Sequence, residues 1–81
     1  METEQPTFAV WLRGTMDSHS ASVEALAKTL GRSHHVILKW RQGIRPSGPA
    51  VASVIKAFGL DGEEADACWR AYHKTVLESE R

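Results

Sequence analysis

The chain has 81 residues, of which 42% are hydrophobic and 25% are charged, and its formal net charge is zero. A chain of this length makes one small domain that buries only about 60% of its unfolded surface, so every large apolar side chain matters to its core. No apolar run approaches the roughly 18 residues that a membrane-spanning helix needs, so we expect a soluble protein.

The N-terminal residues and the cysteine content indicate the compartment. METEQPT is acidic and polar, whereas a secretory signal would carry positive charge and an apolar stretch. The single cysteine, Cys68, has no partner for an intrachain disulfide and is expected to be a small apolar core residue. We therefore expect a cytoplasmic protein with a reduced thiol.

The hydrophobic periodicity predicts five helices and no strand, within a single domain over residues 6–78. Residues 1–5 are expected to form a disordered tail, and residues 79–81 a short C-terminal tail. Helix 1 is predicted to begin at Pro6 or Thr7 and to end near Ser18, where a polar linker begins. Its apolar stripe consists of Phe8, Trp11, Leu12 and either Thr15 or Met16.

Residues 22–43 are predicted to form two short amphipathic helices, over 23–30 and about 34–42, joined by a tight turn. Apolar residues recur in both at helical spacing: Val23, Leu26, Ala27 and Leu30, then Val36, Ile37 and Trp40. Trp40 is expected to be buried. The residues placed to begin and end these helices are, in chain order, Ser22, Gly31, Ser33 and Gly43.

Two further helices are predicted downstream. Helix 4 covers about 49–58, with Pro49 in its first turn and Gly59 after its end. Helix 5 covers about 62–78, and its apolar repeat consists of Ala65, Trp69, Tyr72 and Val76. This repeat either covers the core made by the other helices or serves as the surface of a two-fold dimer.

The charges are grouped along the chain. Residues 25–60 contain no Asp or Glu and six basic residues: Lys28, Arg32, Lys39, Arg41, Arg45 and Lys56. Residues 1–24 hold four acids and one base, and residues 61–81 hold six acids and three bases, so each flank has a net charge of −3. This grouping predicts one basic face, which is typical of a protein that binds a phosphate backbone, although a merely solvated basic surface is the alternative.

Several residues of the central segment match a known pattern in register: Leu26-Ala27, Leu30-Gly31, Ser33, Ile37, Trp40 and Gly43. They resemble the phage-repressor-like (Cro/cI, XRE-type) helix-turn-helix DNA-binding family. FAVWLR at residues 8–13 is similar to that family's first helix, and Trp40-x-x-Gly43-x-x-Pro46-Ser47 is similar to its exit from the recognition helix. The resemblance implies an all-α, five-helix lambda-repressor-like domain with its helix-turn-helix unit at residues 22–43.

The resemblance also implies a sequence-specific transcriptional regulator that binds double-stranded DNA with the helix over residues 34–42 in the major groove. The residues expected to read bases are His34, His35, Leu38 and Lys39. Those expected to contact phosphates are Ser22, Arg32, Ser33, Arg41, Gln42, Arg45 and Ser47. Because two copies are needed to read a two-fold operator, we also expect a homodimer through helix 5. The predicted dimer residues are Trp69, Tyr72 and Val76.

A second interpretation is a helix-turn-helix fold used as a protein-interaction module in a regulatory complex. An exposed Leu38, the neutral net charge and the apolar fifth helix support it, but a protein-docking face gains nothing from excluding acids over residues 25–60. No CxxC, HExxH, phosphate loop or Ser-His-Asp order is present, so we expect neither an enzyme nor a cofactor or metal. His34 and His35 are adjacent on a helix and are expected to point about 100° apart, which is unsuited to joint chelation.

Overall fold

The computed structural model describes residues 6–79, so the predicted tail at residues 1–5 and residues 80–81 lie outside the described part. Within it the chain is all-helical, as predicted. The five helices are α1 (Phe8–Ser18), α2 (Val23–Leu30), α3 (His34–Arg41), α4 (Gly48–Phe58) and α5 (Gly62–Ser79). Ser79, which was expected to begin the C-terminal tail, is the last residue of α5. None of the described helices combines the length and the apolar character needed to cross a membrane.

Short polar side chains and a glycine define the ends of the central helices. The Ser22 hydroxyl accepts a hydrogen bond from the N–H of Ala25 at 3.0 Å, which satisfies one of the free amides at the start of α2. Gly31 ends α2 in the left-handed conformation, with a φ of +68°. A side chain at that φ would be strained, so glycine allows the chain to enter α3 after only three residues.

One hydrophobic core receives side chains from all five helices. Its buried members are Phe8, Leu12, Met16, Leu26, Ala27, Ile37, Trp40, Ala50, Val51, Val54 and Cys68. Trp40 is 5% exposed and meets the Phe8 ring edge-to-face, with 6.2 Å between ring centroids. The prediction that Trp40 is buried is therefore confirmed.

The stripe that α5 turns toward the core differs from the predicted one. The fully inward positions are Cys68, Ala71 and Thr75. The predicted stripe of Ala65, Trp69, Tyr72 and Val76 lies along one flank of the helix and is half-buried. Small side chains at the inward positions let α5 approach its neighbours closely, and the larger residues then cover the edge of the contact.

Thr75 can occupy a buried position because its hydroxyl is fully used. Its Oγ1 accepts a hydrogen bond from the N–H of Phe8 at 2.8 Å and donates to the carbonyl of Ala71 at 3.1 Å. The first bond satisfies an amide at the start of α1 that has no partner within its own helix. Since an unsatisfied buried amide is costly, this hydroxyl ties α1 to α5.

The helices pack in a closed cycle. Within residues 6–79 each helix contacts two others, in the order α1, α3, α2, α4, α5 and back to α1. α3 therefore rests on α1 and α2, whereas α5 rests on α1 and α4. As a result, α3 and α5 are not in contact, and the outer face of α3 is left open.

Candidate nucleic-acid interface

α3 has one face in the core and the opposite face in solvent. Ile37 and Trp40 are buried, while His34, His35 and Lys39 are exposed. Residues four apart on a helix are neighbours, so His35 and Lys39 lie one above the other along the open face. The face thus offers imidazole and ammonium groups, which can donate hydrogen bonds to base edges or to phosphates.

Leu38, the fourth residue predicted to read bases, lies at the edge of this face. Its side chain is half-buried, so part of it packs against the domain and part remains accessible. The accessible part is the kind of apolar surface that can contact a thymine methyl group. Leu38, which the protein-interaction interpretation takes to be exposed, is therefore half-buried.

The rings of His34 and His35 lie together, with centroids 4.3 Å apart and planes tilted by 31°. The sequence predicts that the two side chains diverge, and that prediction is wrong for the rings. Their Cβ atoms do leave the helix in different directions, but rotation about the side-chain torsions brings the rings into contact. Among the described residues, no group of three His, Cys, Asp or Glu side chains converges on a possible metal site.

The start of α3 is capped differently from the starts of α2 and α4. Ser33 has the extended backbone of an N-cap residue, but in the described structure its hydroxyl makes no bond to the amides of α3. Ser22 and Ser47, by contrast, accept hydrogen bonds from the amides of their helices. An accepting hydroxyl still carries a proton that it can donate, so all three serines retain a donor for a phosphate oxygen.

Arg32 lies in the turn before α3 and is held by a contact across it. Its guanidinium carbon is 5.8 Å from the centroid of the Trp40 ring, which is a cation–π distance. This contact places a positive charge beside α3. Sequence reasoning missed it, because no local spacing rule relates a turn residue to a side chain on the far side of the following helix.

The other predicted phosphate contacts lie where the chain leaves α3. Gln42 caps the helix and is exposed, and Arg45 is also exposed, whereas Arg41 is half-buried. Pro46, one residue further, is buried and anchors the loop to the domain. The exposed side chains of Gln42 and Arg45 therefore lie on a loop whose backbone is anchored by Pro46.

The charges on the surface are separated. In the described structure none of the six basic residues of the segment 25–60 forms an ion pair with a carboxylate, and the observed pair, Lys74 with Glu78 at 4.0 Å, lies within α5. Within α2 and α3 the one acid is Glu24, in the first turn of α2. Four exposed acids lie instead at the start of α5, which does not contact α3: Asp61, Glu63, Glu64 and Asp66.

The predicted dimer residues of α5 are partly used by the monomer. Trp69 and Tyr72 pack against the core, and their rings meet edge-to-face with 5.8 Å between centroids. Val76 is half-buried, and the adjacent Leu77 is 67% exposed. One part of the Trp69 ring and one part of the Tyr72 ring therefore cover the core, which is one of the two roles predicted for this repeat. The other part of each ring faces outward.

Cys68 is a core residue, as predicted. Its side chain is fully buried, and burial raises the pKa of the thiol to about 12, since the thiolate would lose its hydration. At neutral pH the thiol is therefore protonated and shielded, and a protonated thiol is a poor nucleophile.

Comparisons of the chain with models of protein families, with curated proteins and with solved structures give no match.

Proposed function

We propose that this protein is a sequence-specific transcriptional regulator that binds double-stranded DNA. In this proposal the domain is lambda-repressor-like, α2 and α3 form its helix-turn-helix unit, and α3 enters the major groove. The observation that carries the proposal is the open face of α3, where His34, His35 and Lys39 are exposed on a segment that contains no acids and that forms no ion pair within the described residues 6–79. The resemblance of residues 22–43 to phage-repressor-like domains supports the same conclusion.

The dimensions of α3 suit this role. The major groove of B-DNA is about 12 Å wide, which accepts an α-helix that is about 10–12 Å in diameter with its side chains, and the eight residues of α3 make a helix about 12 Å long. α3 contacts the domain through α1 and α2, so its outer face can enter the groove without moving another helix. We assign base reading to His34, His35, Lys39 and the accessible part of Leu38.

Phosphate contacts are assigned to the groups around this helix. The hydroxyls of Ser22, Ser33 and Ser47 lie at helix starts, where backbone amides also favour anions. Arg32 lies before α3, Arg41 is its last residue, and Gln42 and Arg45 follow it. These groups orient the domain on the duplex, because phosphates are the same at every base pair.

We further propose that the active species is a homodimer in which the outer parts of Trp69, Tyr72 and Val76 on α5 face the same residues of a second copy. A two-fold dimer places two α3 helices about 34 Å apart, one turn of DNA, and so reads a palindromic site. With DNA as the partner, the proposed compartment is the cytoplasm.

The proposal is tested by selecting duplexes from a random pool and then titrating the enriched duplex at two salt concentrations. We expect an enriched motif and an affinity that falls as salt rises, since basic groups release counterions from the phosphates. The matched control is Arg70→Ala, which removes an exposed basic side chain from α5. We expect this variant to select the same motif as the parent. Equal enrichment of all sequences would contradict the proposal.

A protein-interaction module is the second candidate, favoured by three large apolar side chains on the surface of the described residues. Val10 and Ile44 are each 53% exposed, and Leu77 is 67% exposed. Isolated exposed apolar residues are common, so these three alone do not outweigh the acid-free face of α3. If the selection yields no motif, this candidate takes precedence.

A further inference from the structure

A groove of about 420 Å³ lies between α1 and the start of α5. None of its lining residues belongs to α2, α3 or the loop after α3. Its apolar walls include Val10, Trp11, Leu60 and Ala67, and Val10 is 53% exposed. Gly14 lies in the same wall, and nothing fills the space where its side chain would be.

The rim of this groove is acidic. Glu64 lines the groove, and Asp61 and Glu63 are exposed in the same region at the start of α5. The sequence has no basic residue between positions 57 and 69, and the lining residues include one imidazole, that of His19, and no Lys or Arg. The groove therefore matches an occupant that combines an apolar side chain with positive charge.

This chain carries such an element on a different part of its surface, at Ile44. The N–H of Ile44 donates to the carbonyl of Lys39 at 3.0 Å, and the N–H of Gly43 donates to the carbonyl of Trp40 at 3.2 Å. In this type of helix ending the residue after the glycine normally folds onto the helix, yet Ile44 is 53% exposed. Gly43 has a φ of +111°, which allows the turn that directs Ile44 outward.

The backbone around Ile44 is anchored on both sides, and the segment is positively charged. The two hydrogen bonds hold it on one side, and the buried Pro46 holds it on the other. Arg41 and Arg45 flank Ile44 in sequence, and no acid lies within residues 25–60. A backbone that is already anchored loses little conformational entropy when its segment docks.

We infer that Ile44 of one copy docks into the groove between α1 and α5 of a second copy, with the flanking arginines facing the acidic rim. The two surfaces are at different places on the chain, so the contact is heterologous and adds copies head to tail. The net charge of zero favours such an assembly, because the copies do not repel one another. The contact uses none of the α5 residues assigned to the two-fold dimer.

The inference is tested without DNA, so its outcome is independent of the proposed function. Sedimentation equilibrium is measured from micromolar to millimolar protein for the parent chain, Val10→Asp and Ile44→Asp. We expect the average mass of the parent to rise with concentration and each variant to weaken the head-to-tail contact about tenfold or more. Both positions are exposed, and circular dichroism checks that the variants remain folded.

Mixing the two variants makes the test specific. Val10→Asp has a damaged groove but an intact Ile44, and Ile44→Asp has the reverse, so only the mixture can form one intact contact. We expect the average mass of the mixture to exceed that of both separate solutions. Ala52→Asp, at an exposed position of α4, is the control for added charge and should associate like the parent.

Two results would overturn the inference. One is a mixture whose average mass is only the mean of the two separate solutions. The other is a parent chain whose association is unchanged by both substitutions, since any self-association would then use other surfaces.

Discussion

Lys39 and Arg45 are both exposed cations close to α3, but they differ in what they can reach. Lys39 lies on the open face of the helix, whereas Arg45 lies beyond its end. In the proposed complex Lys39→Ala should cost about 1–3 kcal/mol on the selected site and relax the preference at one base pair. Arg45→Ala should weaken all sequences alike and reduce the salt slope by about one phosphate.

Titrating both variants against the selected duplex and a scrambled duplex, at several salt concentrations, separates the two effects. The scrambled duplex is the internal control, because the loss of a phosphate contact weakens binding to the selected duplex and to the scrambled duplex equally. If Lys39→Ala and Arg45→Ala changed the two duplexes by the same factor, Lys39 would not read a base.

Cys68 links the stability of the fold to alkaline pH. Its pKa is raised to about 12 in the folded protein, so the unfolded chain releases the thiol proton at a lower pH than the folded chain does. The stability that depends on this group is fully present below the unfolded pKa of about 9.0 and is lost as the pH rises toward 12. The loss should approach about 1.4 kcal/mol per pH unit.

Urea unfolding of the parent and Cys68→Ala, from about pH 8 to about pH 10, measures this contribution. Other groups titrate equally in both proteins, so the advantage of the parent over the variant should shrink as the pH rises. An advantage that stayed constant over this range would show that the thiolate is tolerated in the fold.

The bond between α1 and α5 gives a prediction at the scale of secondary-structure elements. Thr75→Val keeps the shape of the side chain but leaves the N–H of Phe8 without its acceptor in a buried position. We expect a loss of about 1–3 kcal/mol in the free energy of unfolding, measured by urea denaturation. Thr75→Ser, which keeps the hydroxyl, is the control and should lose less. Equal stability of Thr75→Val and the parent would mean that water replaces the hydroxyl.

The outer flank of α5 gives a second prediction at this scale. Val76→Asp places a charge at the proposed two-fold contact, so it should weaken binding to a duplex with two half-sites far more than binding to one half-site. Comparing the two duplexes by titration isolates the contact between copies, since each half-site meets the same α3. Equal losses on both duplexes would remove α5 from the dimer interface.

At the scale of the whole molecule, stability depends on a small core that every helix shares. Trp40 is among its largest members and reaches Phe8 of α1 from α3. Trp40→Ala should cost about 3–5 kcal/mol, which is a large part of the roughly 5–15 kcal/mol of a typical domain. Thermal unfolding followed by circular dichroism measures the loss, with the half-buried Trp11→Ala as a milder control. If Trp40→Ala were as stable as Trp11→Ala, the core would be able to close around the cavity that the removed Trp40 side chain leaves.

The sequence by itself determined the helices of this protein and the open face of α3. The cap residues Ser22 and Gly31 act through a hydrogen bond and a φ angle that involve only a few neighbouring residues. The ends of α2 can therefore be predicted from the local sequence. The burial of Trp40 followed in the same way from the apolar spacing of α3. The exposure of His35 and Lys39 followed because the opposite face of an amphipathic helix must meet solvent.

Only the tertiary structure decided which flank of α5 lies inward, how Arg32 meets Trp40, and that Ile44 remains exposed. The sequence of α5 offers two stripes, one of large residues and one of small residues with Thr75, and either satisfies helical periodicity. The inward stripe is the one that carries Thr75, whose hydroxyl supplies the acceptor that the Phe8 amide needs. Such requirements arise between residues far apart in the chain, so no local pattern could reveal them.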